Sequence, residues 1–175
     1  MRKIKLQMNL SLNDKWDVGM TNFCIGNLKN VDGILLGRNT AEGFIPYWTE
    51  VAKNPKDNLY KLGKPLYTIP KIVFSNKVNE NKWDNTTVLS GDISKTIKTL
   101  KKKKGKDIIV YGGNSFATSL IQHDLVDECY LLINPVAVGN GKSEFNPLRN
   151  NFPLTLVKSK PFDCGVVLLY YSRQR

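Results

Sequence analysis

The chain is poor in histidine and cysteine, with one of the first and three of the second among 175 residues. A lone His123 leaves little scope for a histidine-based metal centre or a catalytic triad. Cys24, Cys129 and Cys164 are odd in number, far apart and without a C-x-x-C pair. Neither a disulfide framework nor a zinc site is indicated, and each cysteine reads as a small buried hydrophobe. No apolar run approaches the length that spans a bilayer. The opening Arg2-Lys3-Ile4-Lys5-Leu6 alternates basic and apolar residues, the pattern of a strand and not of a signal peptide. The expectation is a cytoplasmic protein with no membrane partner.

Acidic residues are also few: 15 against 26 lysines and arginines, a net charge of +11. That balance raises the question of a nucleic-acid partner. The densest positive run is Lys101-Lys102-Lys103-Lys104, with Lys106 beyond Gly105. It falls at the end of a helical pattern, where the helix dipole and solvent favour cations. No interleaved aromatics accompany it, so it reads as a solvated helix end and no nucleic-acid partner is expected. The excess charge remains available to an anionic substrate or cofactor.

What is present is an ordinary globular composition, 41% apolar and 23% charged, in a length that suits one domain over residues 1–175. Ile4, Leu6, Met8 and Leu10 alternate with polar residues, the period of a strand with one buried face. Met20, Phe23, Cys24 and Leu28 recur at helical spacing. The apolar run 31–36 ends at Gly37-Arg38-Asn39-Thr40, where Thr40 is placed to cap a helix carrying Glu42, Phe44, Tyr47, Trp48 and Val51. Residues 53–70 read as a loop with a short helix near 59–62. Strands follow at 71–76 and 86–89. Gly91-Asp92 opens a helix with Ile93, Ile97 and Leu100 on one face. A strand over 107–111, a helix over about 115–122 and a strand over 129–134 come next. Segments 154–158 and 166–171 read as a closing antiparallel pair. Strands alternating with helices imply an α/β fold with a mostly parallel sheet and an antiparallel edge.

The most informative stretch is Asp107-Ile-Ile-Val-Tyr111-Gly112-Gly113-Asn114-Ser115-Phe116. A β-branched run stops at two glycines and a helix begins at once. Glycine permits a sharp turn and the close approach of a ligand, and a helix N-terminus offers free N–H groups and partial positive charge. That combination suits a phosphate or pyrophosphate, although a tight turn with nothing bound would read the same way. Three further strand ends carry ligand-type residues: Gly37-Arg38-Asn39-Thr40, Ser75-Asn76 and Ser90-Gly91-Asp92. In open α/β sheets, ligands bind beyond the carboxyl ends of the strands. Arg38 also lies one helical turn before Glu42, an ion-pair spacing.

Val31-Asp-Gly-Ile-Leu-Leu-Gly37-Arg38-Asn-Thr40, Ile108-Ile-Val-Tyr-Gly112-Gly113 and Leu125-Val-Asp127-Glu128-Cys-Tyr-Leu-Leu-Ile-Asn134-Pro135-Val-Ala-Val-Gly139-Asn-Gly141 resemble the reductase domain of the bifunctional riboflavin-biosynthesis deaminase/reductase and its stand-alone, dihydrofolate reductase-like relatives. The resemblance covers nearly the whole chain. It implies a dihydrofolate reductase-like fold, with a mostly parallel twisted sheet, helices on both faces and a C-terminal antiparallel hairpin. It further implies NADPH-dependent hydride transfer to a small heterocyclic or carbonyl acceptor, of the 5-amino-6-(5-phosphoribosylamino)uracil reductase kind, and a homodimer. Gly37, Arg38, Asn39 and Thr40 would meet the adenosine side and its 2′-phosphate. Ser75 and Asn76 would lie near the adenine ribose. Gly112, Gly113, Asn114, Ser115 and Phe116 would cradle the pyrophosphate and the nicotinamide side, so that a side chain at Gly113 would harm cofactor binding more than stability. Asp17 and Glu144 are candidate acids for substrate contact or proton supply, or else solvated loop carboxylates. His123 reads as a helix-end residue. The segment Ser11-Leu12-Asn13-Asp14-Lys15-Trp16-Asp17 is shorter than the family's usual loop after the first strand. That departure keeps a non-catalytic nucleotide-binding or interaction protein open as the alternative.

Overall fold

A computed structural model describes residues 1–10, 15–76, 82–137, 139, 148 and 151–174. In chain order the elements are β1 (Ile4–Leu10), α1 (Val18–Leu28), β2 (Val31–Gly37), α2 (Arg38–Lys53), α3 (Tyr60–Thr68), β3 (Lys71–Phe74), β4 (Thr86–Leu89), α4 (Ile93–Lys102), β5 (Asp107–Tyr111), α5 (Asn114–Gln122), β6 (Glu128–Ile133), β7 (Leu154–Pro161) and β8 (Val167–Arg173). Eight strands form one sheet in the order β4-β3-β2-β5-β1-β6-β8-β7. Pairing is parallel from β4 to β6, while β8 runs antiparallel to both β6 and β7. The mixed α/β architecture with a closing hairpin is the one expected from the alternation of strand and helix patterns. No helix among the described residues is long and apolar enough to cross a membrane.

Side-chain alternation sorts the helices between the two faces. Leu6, Val110 and Leu131 point to the face where α4 and α5 bring Ile97, Leu100, Leu120 and Ile121. Ile34, Leu36 and Ile109 point to the other, under Leu28 of α1, Ala41 and Ile45 of α2 and Leu62 and Leu66 of α3. A third cluster joins Met20 of α1 to Tyr130 and Leu132 of β6 and to Phe162, Val166 and Leu168 of the hairpin. Each fully buried Leu or Ile in these layers contributes roughly 1.5–3 kcal/mol. Cys24 and Cys129 are buried, which pushes their thiols up to about 11 and about 12; Cys164 is half-buried.

Several local expectations need correction. The strand β1 has no solvated face: Lys5 and Gln7 are buried as well as Ile4, Leu6 and Met8. Because β1 is central, helices cover both its sides. The polar residues on its α1 side are satisfied inside the protein. Asn27 Nδ2 donates to Gln7 Oε1 at 2.8 Å, and Lys5 Nζ lies 3.5 Å from Asp107. The lysine run is not uniformly solvated either. Lys102, Lys103 and Lys104 are exposed, but Lys101 is buried, with Nζ 2.6 Å from Asp127 and 3.3 Å from the Leu125 carbonyl. The last turn of α4 packs there, and a buried ammonium needs an opposite charge. The segment 53–70 holds a longer helix than its Pro and Gly content suggested. Tertiary burial of Leu62 and Leu66 outweighs weak propensity. Thr40 is not a cap. The helix starts two residues earlier, at Arg38, and Thr40 lies inside its first turn.

Lys71 is buried at the start of β3 and, among the described residues, has no carboxylate against it. Its ammonium donates to the Tyr67 carbonyl and sits 5.4 Å from the Tyr67 ring centroid. Burial pushes it down to about 8. Below that pH the group is charged in both the folded and unfolded states, and the folded state carries the whole desolvation cost. Between about 8 and the unfolded value near 10.5 the cost fades, so stability rises with pH through this window. Lys71→Met is therefore expected to stabilise the protein by ~2 kcal/mol at pH 7. The advantage over the parent should shrink by pH 10, as measured by urea denaturation at both pH values.

Candidate functional site

Beyond the carboxyl ends of β2, β3 and β5 lies a cleft of about 510 Å³. Its walls include Gly37, Arg38, Asn39 and Thr40 from the start of α2, Ser75 and Asn76 after β3, and Gly113, Ser115 and Phe116 from the start of α5. The sheet order puts β2 between β3 and β5, so three chain segments far apart in sequence end side by side. Of the residues expected at a cofactor site, these nine line the cleft; Gly112 and Asn114 flank Gly113 without lining it. Gly91, from the ligand-type strand end Ser90-Gly91-Asp92, lines it too, and so do Phe74, Ile93 and Ser119, which were missed. Ser119 stands one helical turn after Ser115, a spacing that would have pointed to it. The Phe74 and Phe116 rings stack at 6.1 Å, which gives the cleft an aromatic surface.

Two of the helix starts around this cleft lack the side-chain caps found at α1 and α4. In α1 the Asp17 side chain accepts from Met20 N–H, and in α4 Asp92 accepts from Lys95 N–H at 2.9 Å. Those are ordinary aspartate caps. In α2 and α5 the caps are Gly37 and Gly113, with no side-chain cap bond. The first-turn N–H groups of both helices are therefore left for other acceptors, with the positive ends of two helix dipoles behind them. The start of α3 at Leu59 also lacks a side-chain cap, but it does not line this cleft.

Two glycines allow these helix starts to meet. A Cβ on Gly37 would lie 2.8 Å from Phe116 Cβ, and a Cβ on Gly113 would lie 2.6 Å from Thr40 Oγ1. Each helix thus rests a first-turn side chain on the other's capping glycine. Gly113 has φ +60 and Gly112 has φ +41, both in the left-handed region. At Gly112 nothing lies within 4 Å of an added Cβ. The expectation for Gly113 is corrected accordingly: the protein itself excludes a side chain there, so substitution would disturb the fold along with any ligand.

Arg38 carries both of the features read from its sequence context. It lines the cleft, and its Nε lies 3.7 Å from Glu42 Oε1. That Nε is buried and has no hydrogen-bond partner among the described residues. The other Glu42 oxygen accepts from Lys82 Nζ at 2.5 Å. Asn76 Oδ1 accepts from Gly91 N–H at 2.9 Å, tying the end of β3 to the β4–α4 turn. Ser75 is buried beside it.

The candidate acids fare differently. Asp17 does not reach this cleft. Its Oδ1 accepts from Met20 N–H at 2.7 Å and its Oδ2 from Cys164 N–H at 2.9 Å, linking α1 to the turn of the β7–β8 hairpin. These backbone bonds hold its carboxyl below the usual carboxylate range. At neutral pH it is ionised and holds no proton to give. It borders a separate cleft of about 880 Å³ between the start of α1 and residues 55–61. Glu144 and residues 11–14 of the shortened loop lie outside the described residues. His123 ends α5, its Nδ1 2.8 Å from the Ser119 carbonyl. Two further buried polar atoms, Tyr111 Oη and Asn134 Oδ1, have no hydrogen-bond partner among the described residues and stand at the carboxyl ends of β5 and β6. Nothing in the local sequence singled them out, because their lack of a partner is a property of packing.

The family model of the RibD C-terminal domain matches residues 15–168. The protein YyaP of Bacillus subtilis (strain 168), itself uncharacterised, is 37% identical over 157 residues, which are 89% of this chain and 79% of that one. Among solved structures, a provisionally named riboflavin biosynthesis protein from Shewanella sp. PV-4 is similar over 100% of both chains, with a TM-score of 0.70 and 19% identity. Dihydrofolate reductase from Enterococcus faecalis, solved with NADP(H), is similar over 99% of this chain and 97% of that one, with a TM-score of 0.59 and 14% identity. Both structural likenesses show the fold. With the family model spanning most of the chain, and the glycine-capped helix starts at the place where the sequence motifs fall, this protein is a member of the RibD C-terminal domain family, a reductase family, on a dihydrofolate reductase-like fold.

Proposed function

We propose that this protein is an NADPH-dependent reductase, acting in the cytoplasm on a small heterocyclic or carbonyl acceptor. The observation that carries the reading is the meeting in one cleft of two helix N-termini without side-chain caps and of Arg38, whose buried Nε has no hydrogen-bond partner among the described residues. A dinucleotide phosphate is the ligand that such donors suit. The residues present fit that group. Asn114, Ser115 and Phe116 offer first-turn N–H groups toward a pyrophosphate. Gly112 leaves open space beside them. Arg38, Asn39 and Thr40 supply one charge and several donors for a 2′-phosphate, with Ser75 and Asn76 on the ribose side. NADPH, when bound, supplies the hydride; the chain positions and desolvates it. The buried Tyr111 hydroxyl and Asn134 amide oxygen are this chain's candidates for contacts on the acceptor side. Within the family, 5-amino-6-(5-phosphoribosylamino)uracil reduction is the proposed reaction type.

A second reading, a nucleotide-binding protein without turnover, draws support from Asp17, whose two oxygens are engaged by backbone donors. Steady-state NADPH oxidation with a panel of pyrimidine, pterin and carbonyl acceptors separates the two. Binding with no turnover on any acceptor favours the second.

We also propose a homodimer. The edge strand β7 exposes Leu156 and Val157 by 52% and 53%, an apolar edge that a second copy would cover. Light scattering at micromolar concentration should give twice the chain mass of 19.8 kDa, and a monomer alone overturns the proposal.

Arg38→Ala should weaken NADPH by roughly ten- to a hundredfold, the loss of a charge-assisted hydrogen bond. NADH should change little, and added salt should weaken NADPH more than NADH. Equal losses for both cofactors in fluorescence titrations would assign Arg38 to the fold. The two glycines give a paired test. Gly113→Val should lower the melting temperature sharply through its clash with Thr40. Gly112→Val meets no protein atom but places a β-branched residue at φ +41, so it should lower the melting temperature less than Gly113→Val does. A thermal melt of each variant reads both effects.

A further inference from the structure

The charges gathered on the cleft-lining Arg38 do not add up to a simple phosphate site. Arg38 and Lys82 are the cations, and a carboxylate, Glu42, stands between them. One oxygen faces Arg38 Nε at 3.7 Å, and the other accepts from Lys82 Nζ at 2.5 Å. Lys82 lies ahead of β4, so the contact spans from that strand's approach to the first turns of α2. The lysine is also 4.9 Å from the Trp83 ring centroid, which fixes its stem. Glu42 thus occupies both cations in the manner of a phosphate. The occupation is incomplete on the arginine side, where 3.7 Å is too long for a hydrogen bond and Nε is left without one.

We infer that Glu42 is a specificity-determining residue of this cleft: it competes with the cofactor 2′-phosphate for Arg38 and Lys82, and so narrows the preference for NADPH over NADH. The inference rests on the dinucleotide reading of the cleft given above. Its physical basis is charge. The three side chains sum to +1, and a phosphate dianion brought among them meets the Glu42 carboxylate as a like charge. With a glutamine in its place the sum is +2, and both cations are free to turn to the phosphate. A cofactor that ends in a ribose hydroxyl has no such conflict, because a carboxylate accepts a hydrogen bond from that group. All three side chains are partly exposed, at 37% for Glu42, 40% for Arg38 and 55% for Lys82, so the effect is moderate and salt-sensitive.

The test is the ratio of dissociation constants for NADH and NADPH, measured by fluorescence titration on the parent, Glu42→Gln and Lys82→Met. Adenosine 2′-monophosphate and adenosine 5′-monophosphate serve as fragment probes by calorimetry. Glu42→Gln should tighten NADPH and the 2′-monophosphate by about three- to tenfold and leave NADH and the 5′-monophosphate unchanged or weaker. Its NADPH affinity should also fall more steeply with salt than the parent's. Lys82→Met should weaken NADPH by about two- to fivefold and spare NADH. If the parent binds both dinucleotides but Glu42→Gln leaves the ratio within twofold, or weakens NADPH, the role assigned to Glu42 is wrong while the cofactor reading stands. If the parent binds neither dinucleotide nor either fragment, the cofactor reading fails and this inference with it. Far-ultraviolet circular dichroism of the variants verifies that the exposed substitutions leave the fold intact.

Discussion

The contact on which the site depends is the mutual packing of two helix starts. Phe116 of α5 rests on Gly37, the cap of α2, and Thr40 of α2 rests on Gly113, the cap of α5. Neither approach tolerates a Cβ. Because β2 and β5 are adjacent in the sheet, this interlock brings two helix N-termini into one cleft with little freedom between them. Side-chain caps at either position would fill the same space and take the same N–H groups. The geometry therefore excludes the usual means of finishing a helix at the two places where a ligand would need free donors.

The capping pattern shows what that arrangement costs. A side-chain cap is worth about 1 kcal/mol, and α1 and α4 have one each while α2 and α5 have none. Stability is recovered in the layers beneath. Ala41 and Ile45 of α2, and Ala117, Leu120 and Ile121 of α5, are buried against the parallel strands. The polar ends of these helices are thus held in place by their apolar bodies. The same logic explains Asp17. It spends both oxygens on backbone donors from two different parts of the chain, and that joins the start of α1 to the terminal hairpin.

Polar groups inside the protein follow a matching division. Beneath α1, Gln7, Asn27, Lys5, Glu128 and Tyr130 are buried and bonded, with the Tyr130 hydroxyl 2.8 Å from Glu128 Oε2 and Lys3 Nζ 2.7 Å from Glu128 Oε1. Buried polar groups are costly unless paired, and these pairs lie along the middle and amino-terminal parts of the central strands. Among the described residues, the unpaired buried side-chain atoms, Arg38 Nε, Tyr111 Oη and Asn134 Oδ1, all belong to residues at or just past the carboxyl ends of strands β2, β5 and β6. Satisfied groups toward one end and unsatisfied groups at the other are consistent with a fold that stores its binding capacity beyond the strand ends.

Much of this was legible along the chain. Strand and helix patterns, the Gly112-Gly113 turn and the ligand-type residues after β2 and β3 are local, because periodicity and glycine placement are properties of a few neighbouring residues. The class of fold and nine of the cleft residues follow from them. Tertiary structure decided what depends on neighbours far away in sequence. The burial of Lys5, Gln7 and Lys101 follows from the central position of β1 and the packing of α4 onto residues 125–127. The reason for Gly113 lies in Thr40, more than seventy residues before it. Arg38 could be read from sequence as a phosphate ligand or as the partner of Glu42, and only the fold shows that it both lines the cleft and faces Glu42, with Lys82 brought in from a distant segment. Local order is written in local residues. Which charges meet, and which helix starts stay uncapped, is set by how the sheet brings remote strand ends together.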